Sequence, residues 1–230
     1  MVASDRKLQI MSAHILKNYD SDLSALKDSV VQMGGAALDA LEKSVAGLLE
    51  GNLDQCYDVI DDDEAIDTQE KRIDEQGMSI LLRFNPVASD LRHVLSSINI
   101  CRSLERIGDH AVTIAKRSRK ILKAGAVTEV RLIDPLFREV QKIVSSALTV
   151  YSDVDEEAAM KVIQMDQKVD DLHKSLGKSL SAQIAGGAKE TEPLLNIIFI
   201  SRSLERIGDL AVNIAEDVVF ISSAEDIRHT

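Results

Sequence analysis

The feature that most constrains this chain is a duplication. Residues 102–115 read RSLERIGDHAVTIA and residues 202–215 read RSLERIGDLAVNIA, identical at twelve of fourteen positions with a shift of 100. A weaker echo lies upstream with a shift of 103, where Val59–Asp67 aligns with Val162–Asp170. Agreement of that kind does not arise by chance, so a fold for one half must serve the other. We therefore divide the chain into a first repeat at 1–124 and a second at 125–230.

Each repeat reads as three helical segments. Leu23, Leu26, Val30, Met33, Ala37, Leu41, Val45 and Leu48 recur at spacings of three and four, which puts them on one face of a long helix ending near Gly51-Asn52. The second segment is expected over about Leu53–Leu82. Asn85-Pro86 is read as the cap and first turn of a third, running to about Lys123 before Gly125. The second repeat follows suit: about Ile133–Tyr151, then Asp155–Ala185 closed by Gly186-Gly187, then Lys189 or Pro193 to Ile221. Only 3 prolines and 11 glycines interrupt 230 residues, as long helices require. Short connections make neighbouring helices antiparallel, so the expected fold is all-α, two three-helix bundles in tandem with an internal pseudo-twofold repeat.

Acidic residues intrude on the apolar faces of these helices. Val59, Ile66, Ile73 and Ile80 mark a seam with a seven-residue repeat, and Asp63 falls inside it with Asp67 one turn on. Asp166 and Asp170 copy this beside Val162 and Val169. On the third segment Glu105 lies seven residues from both Ile98 and Val112, and Asp109 follows at i+4; Glu205 and Asp209 repeat the pair. Like charges at i and i+4 cost a helix about 0.2–0.5 kcal/mol, and burial of unpaired carboxylates adds several kcal/mol. Something must neutralise them. Hard oxygen donors in that number suit Fe, Mn, Mg or Ca, with Zn as a further candidate. The competing reading is that they pair with Arg102 and Arg106, each three residues before an acid; four such pairs, two in each repeat, tip the balance toward metal. Gly108 and Gly208, beside the acids, leave room for an ion, a water or a close helix.

Other residues carry less. His93 and His173 each follow an Asp by three, which resembles half of a di-iron motif, but satisfied structural histidines explain them more simply; His110 is matched by Leu210. The methionines, at helical spacing, are read as core. No P-loop, nucleophile elbow or zinc-protease motif occurs, which argues against an enzyme. Aromatics are only 3%, so the core must be aliphatic, and the net charge of −11 disfavours nucleic acid or an anionic membrane as partner. Cys56 and Cys101 have no paired spacing, and neither an export signal nor an 18-residue apolar run is visible. A cytoplasmic protein with reduced thiols is the expectation.

The segments Pro86-Val87-Ala88-Ser89-Asp90-Leu91-Arg92, Leu104-Glu105-Arg106-Ile107-Gly108-Asp109-His110-Ala111 and Leu204-Glu205-Arg206-Ile207-Gly208-Asp209 resemble the PhoU family of phosphate-signalling accessory proteins, and the likeness runs over nearly the whole chain. The resemblance implies two three-helix bundles, usually in a homodimer, with multinuclear clusters of iron, zinc or other divalent ions. It implies Glu105, Asp109, Glu205 and Asp209 as ligands, with Asp63, Asp67, Asp166 and Asp170 as facing partners. It also implies negative regulation of phosphate uptake and of the phosphate-starvation response, through contacts with the ATPase of the phosphate transporter and with a sensor histidine kinase. Two features depart from the pattern: the Pro86–Arg92 element occurs once, and Lys116-Arg117 after the first motif becomes Glu216-Asp217 after the second. From other classes, a ferritin-like di-iron oxidase would want two Glu-x-x-His elements, which are missing, and a purely structural adaptor would pair its acids with arginines.

Overall fold

Among the described residues the aliphatic stripes collapse into seven α-helices. The computed structural model describes residues 2–125 and 127–227, with side chains from residue 17 onward. In the first repeat α1 is Val2–Glu50, α2 Leu53–Asp61, α3 Asp63–Phe84 and α4 Ala88–Ala124; in the second α5 is Asp134–Asp153, α6 Glu156–Ala185 and α7 Thr191–Ser223. A 3-10 turn, Thr128–Ile133, joins the two repeats. Among the described residues there is no strand.

The stripe predicted for α1 is the buried one: Leu26, Val30, Met33, Ala37, Leu41 and Val45 are all sealed from solvent. α4 and α7, carrying the duplicated motif, form the spine of the molecule, packed on each other as well as on the helices of their own repeats. Leu104 and Leu204, at equal places in that motif, are both fully buried. Truncating either to Ala would cost about 3 kcal/mol. At Gly34, where α1 crosses α5, a side chain would run into Leu148, so the first helices of the two repeats also touch. Edge-on packing of Tyr19 against Phe84, with centroids 5.6 Å apart, and a 2.6 Å ion pair from Arg83 to Asp22 tie α1 to the end of α3.

Three expectations need correction. The segment expected as one helix over Leu53–Leu82 is split at Asp62, whose N–H still reaches the Asp58 carbonyl at 2.9 Å while Ala65 N–H bonds to the Asp62 carbonyl at 3.0 Å. Asp58, Asp61, Asp62, Asp63 and Glu64 crowd this stretch, repelling at i,i+3 and i,i+4, and they are better placed in the first turn of a fresh helix, where the macrodipole favours acids. Asn85 does not start α4; it ends α3 in the left-handed conformation (φ 47°, ψ 54°), a role Asn shares with Gly, and α4 begins at Ala88. Of the methionines, Met33 is core but Met78 and Met160 are 54% and 42% exposed. Cys56 and Cys101 are buried free thiols. Among the described residues no helix is long and apolar enough to cross a membrane.

Candidate functional site

Each repeat brings its two acid-bearing helices side by side. The seam is as predicted, with Val59, Ile66, Ile73 and Ile80 buried on α2 and α3 and Val162 and Val169 on α6. Asp63, Asp67, Asp166 and Asp170, on that same side, are half-buried, as are Glu105 and Glu205; Asp109 and Asp209 are the more exposed members. The glycines decide how close the helices come. A Cβ on Gly108 would lie 2.8 Å from Ile66 Cδ1, and one on Gly208 would lie 3.1 Å from Val169 Cγ1 and 3.2 Å from Asp166 Oδ1. The space they leave is therefore filled by the neighbouring helix. α3 presses on α4, and α6 on α7, at the level of the carboxylates.

The crowding has an electrostatic signature. Burial, with Asp109, Glu70 and Asp67 adding repulsion and Arg106 relieving a little of it, pushes the Glu105 carboxyl up to about 7. Burial, then Glu205, Asp166 and Asp170, raise Asp209 to about 6 against relief from Arg206. Asp63 is raised by burial, Asp109 and Asp67, with Lys116 opposing. Asp166 is raised by burial, Asp170 and Glu205, with Lys174 opposing. Two sets of four carboxylates thus sense one another: Asp63, Asp67, Glu105 and Asp109 in the first repeat, and Asp166, Asp170, Glu205 and Asp209 in the second.

Arginine does not neutralise them. Among the described residues the only ion pair on any of the eight is Lys174 to Asp170 at 2.7 Å; Arg102 and Arg106 clasp neither Glu105 nor Asp109. Asp166 Oδ1 is sealed from solvent with no hydrogen-bond donor. An orphaned carboxylate oxygen of that kind, among others of like charge, fits a hard cation in donor type and in charge. Among the described residues no three Asp, Glu, His or Cys side chains are gathered into a ready coordination cage. The donors are assembled on facing helices, then, but not drawn together.

The sequence reading missed part of the first cluster. Glu70 acts on Glu105, and Asp74, whose Oδ1 is buried without a donor, acts with Glu70 to raise the Cys101 thiol to about 12, chiefly through burial. Their signal was visible: Asp63, Asp67, Glu70 and Asp74 step by four, three and four, one continuous stripe. The second repeat places His173 and Gly177 at the matching positions, and His173 Nδ1 meets Ser201 Oγ at 3.1 Å. His93 is half-buried, with burial and then Lys27 lowering its pKa to about 4. Neither histidine joins the carboxylates.

A duplicated, all-helical scaffold whose distinctive groups are two facing sets of carboxylates defines the class, a tandem helical-bundle protein. The PhoU domain pattern matches residues 30–118 and again 133–218. The chain belongs to the PhoU family. It is 34% identical over 215 residues to the phosphate-specific transport system accessory protein PhoU homolog of Xylella fastidiosa, covering 93% of this chain and 90% of that one. To the homolog from Pseudomonas aeruginosa it is 34% identical over 223 residues, 95% of this chain and 91% of the relative. The crystal structure of PhoU from Pseudomonas aeruginosa superposes with a TM-score of 0.87 at 32% identity, over 90% of this chain and all of that one. PhoU from Streptococcus pneumoniae, a phosphate transport system regulatory protein, shares the fold at a TM-score of 0.85 and 23% identity, over 91% of this chain and 99% of that one.

Proposed function

We propose that this protein is a non-catalytic regulator attached to phosphate-specific transport, and that it works through cations held by its two acidic clusters. Family membership over almost the whole chain supports the first part, together with relatives named as accessory proteins of that transport system. The observation that carries the second is the mutual repulsion of eight carboxylates of which, among the described residues, one alone forms an ion pair. In this reading Glu105, Asp109, Asp63 and Asp67 hold ions in the first repeat, and Glu205, Asp209, Asp166 and Asp170 in the second. A bound Fe, Zn, Mn or Mg ion would supply the positive charge that offsets this crowding. The residues themselves set the response: Gly108 and Gly208 hold the acid-bearing helices at contact, so occupancy is coupled to how α3 meets α4 and how α6 meets α7.

The transporter ATPase and a sensor histidine kinase are the proposed partners, a homodimer the proposed assembly, and the cytoplasm the proposed compartment. Inhibition of uptake when phosphate is plentiful is the proposed outcome. Deleting the gene and measuring uptake of labelled phosphate in phosphate-replete cells tests this directly. Uptake should rise and should return to normal with the intact gene but not with Glu205→Ala/Asp209→Ala. Unaltered uptake in the deletion strain would refute the regulatory role, and full rescue by the double variant would separate that role from the acids.

A further inference from the structure

Where α4 and α7 cross, beside the first acidic cluster, a polar cleft of about 360 Å³ draws on both repeats. Arg106, His110, Thr113 and Lys116 enter it from α4, at spacings of four, three and three that keep them on one helix face. Arg206 enters from α7. Arg106 and Arg206 hold the same place in the duplicated motif, so the crossing brings two copies of one guanidinium to a single cavity. Neither arginine, nor Lys116, forms an ion pair with a carboxylate among the described residues. Arg106, Lys116 and Arg206 are all exposed residues. His110 lines the same cleft as both guanidiniums.

We propose that this cleft is a binding site for a small tetrahedral oxyanion of the phosphate class, gripped by Arg106, Arg206, Lys116 and Thr113. Guanidinium forks and a lysine match such an ion in charge and in geometry, and a hydroxyl adds a neutral donor. Two carboxylates, Asp63 and Asp109, also line the cleft. Against an ion with no proton to give they would only repel. Monohydrogen phosphate carries a P–OH that can donate to a carboxylate oxygen; sulfate at neutral pH has none, so the mixed lining selects phosphate. The lining holds no Phe, Tyr or Trp to stack a nucleobase, which favours the free ion over a nucleotide. The duplication does not supply a second such site: His110, Thr113 and Lys116 correspond to Leu210, Asn213 and Glu216, which remove the cation and add an acid. The charge difference after the two motifs thereby gains a purpose. Asp63 and Asp109 belong also to the first acidic cluster, whereas Arg106, Arg206, Lys116 and Thr113 do not, so the grip on the anion needs no cation there.

Calorimetric titration of the full-length protein with inorganic phosphate tests it, both as purified and after chelator treatment. Saturable binding is expected in both preparations, with sulfate at least about tenfold weaker. Arg206→Gln should weaken phosphate by about tenfold, the loss of one charge-assisted contact. Arg202→Gln, an exposed arginine one turn away and outside the cleft, should leave affinity unchanged. No phosphate binding in either preparation, equal affinity for sulfate, or an unaffected Arg206→Gln variant would overturn the proposal. Binding of ATP more tightly than phosphate would overturn it in favour of a nucleotide site.

Discussion

The two repeats share a plan but not a build. In the second, α6 runs unbroken through its acids, from Glu156 to Ala185. In the first, the chain breaks at Asp62, and Asp63 opens a new helix. The acid stripe differs as well: Asp63, Asp67, Glu70 and Asp74 in the first repeat stand where Asp166, Asp170, His173 and Gly177 stand in the second. A lysine eases the charge on Asp170 at 2.7 Å, whereas no residue of the first cluster has an ion pair among the described residues. More charge on a less continuous support should make the first cluster the more responsive of the two and the second the more rigid. A duplicated gene gains division of labour in this way without a new fold, because substitutions along one helix stripe leave the packing face untouched.

Removing the acids tests that comparison most severely. Glu205→Ala/Asp209→Ala and Glu105→Ala/Asp109→Ala should each abolish most of the metal bound in its own repeat, read by elemental analysis of protein purified without chelator. Metal content unaltered in both variants would eliminate the cation sites, and loss in one alone would show which repeat is loaded.

Acidity gives the next effect. A carboxyl whose pKa is raised on folding binds more protons folded than unfolded, so stability is present at low pH and lost as pH rises through the raised value. For Glu105 that window runs from its ordinary value of 4.5 to about 7, and for Asp209 from 3.8 to about 6. Metal-free protein should therefore melt at a lower temperature at pH 7.5 than at pH 5.5, a difference that Glu105→Gln shrinks. Added divalent ion should raise the pH 7.5 midpoint. A midpoint that climbs with pH in metal-free protein would contradict the crowding.

Hydrogen exchange offers a subtler contrast. Amides at Asp63–Ile66 should exchange faster than those at Asp166–Val169, because the ladder is interrupted only in the first stretch. Asp61→Ala/Asp62→Ala should narrow the gap by relieving repulsion and improving helix propensity. Equal protection in the unaltered protein would show that the break at Asp62 does not loosen the first stretch.

Lys174→Met should have the smallest effect. An exposed i,i+4 pair adds little to stability, so the thermal midpoint should stay within error. Metal retention in the second repeat should hold or increase, since Asp170 loses its competing partner.

Much of this was legible in the residues. Helical period, duplication and the intrusion of Asp63 and Asp166 on an apolar seam are one-dimensional patterns, and the helices, the core and the facing of the acids follow from them. Asn85 was misread because a left-handed Asn that ends a helix and an Asn that begins one are the same letter before Pro86. Glu70 and Asp74 were overlooked since a longer acid stripe resembles an ordinary solvated face until Glu105 is found across from it.

Composition and periodicity alone determined that this protein is aliphatic, helical and doubled, because those properties arise from local propensity and from spacing along a single helix. Tertiary structure decided the rest: that Gly108 and Gly208 serve close packing, that no arginine pairs with the clustered acids among the described residues, and that Arg106 and Arg206 share a cleft. Each depends on distances between residues remote in the chain, and spacing along one helix carries no information about the crossing of two.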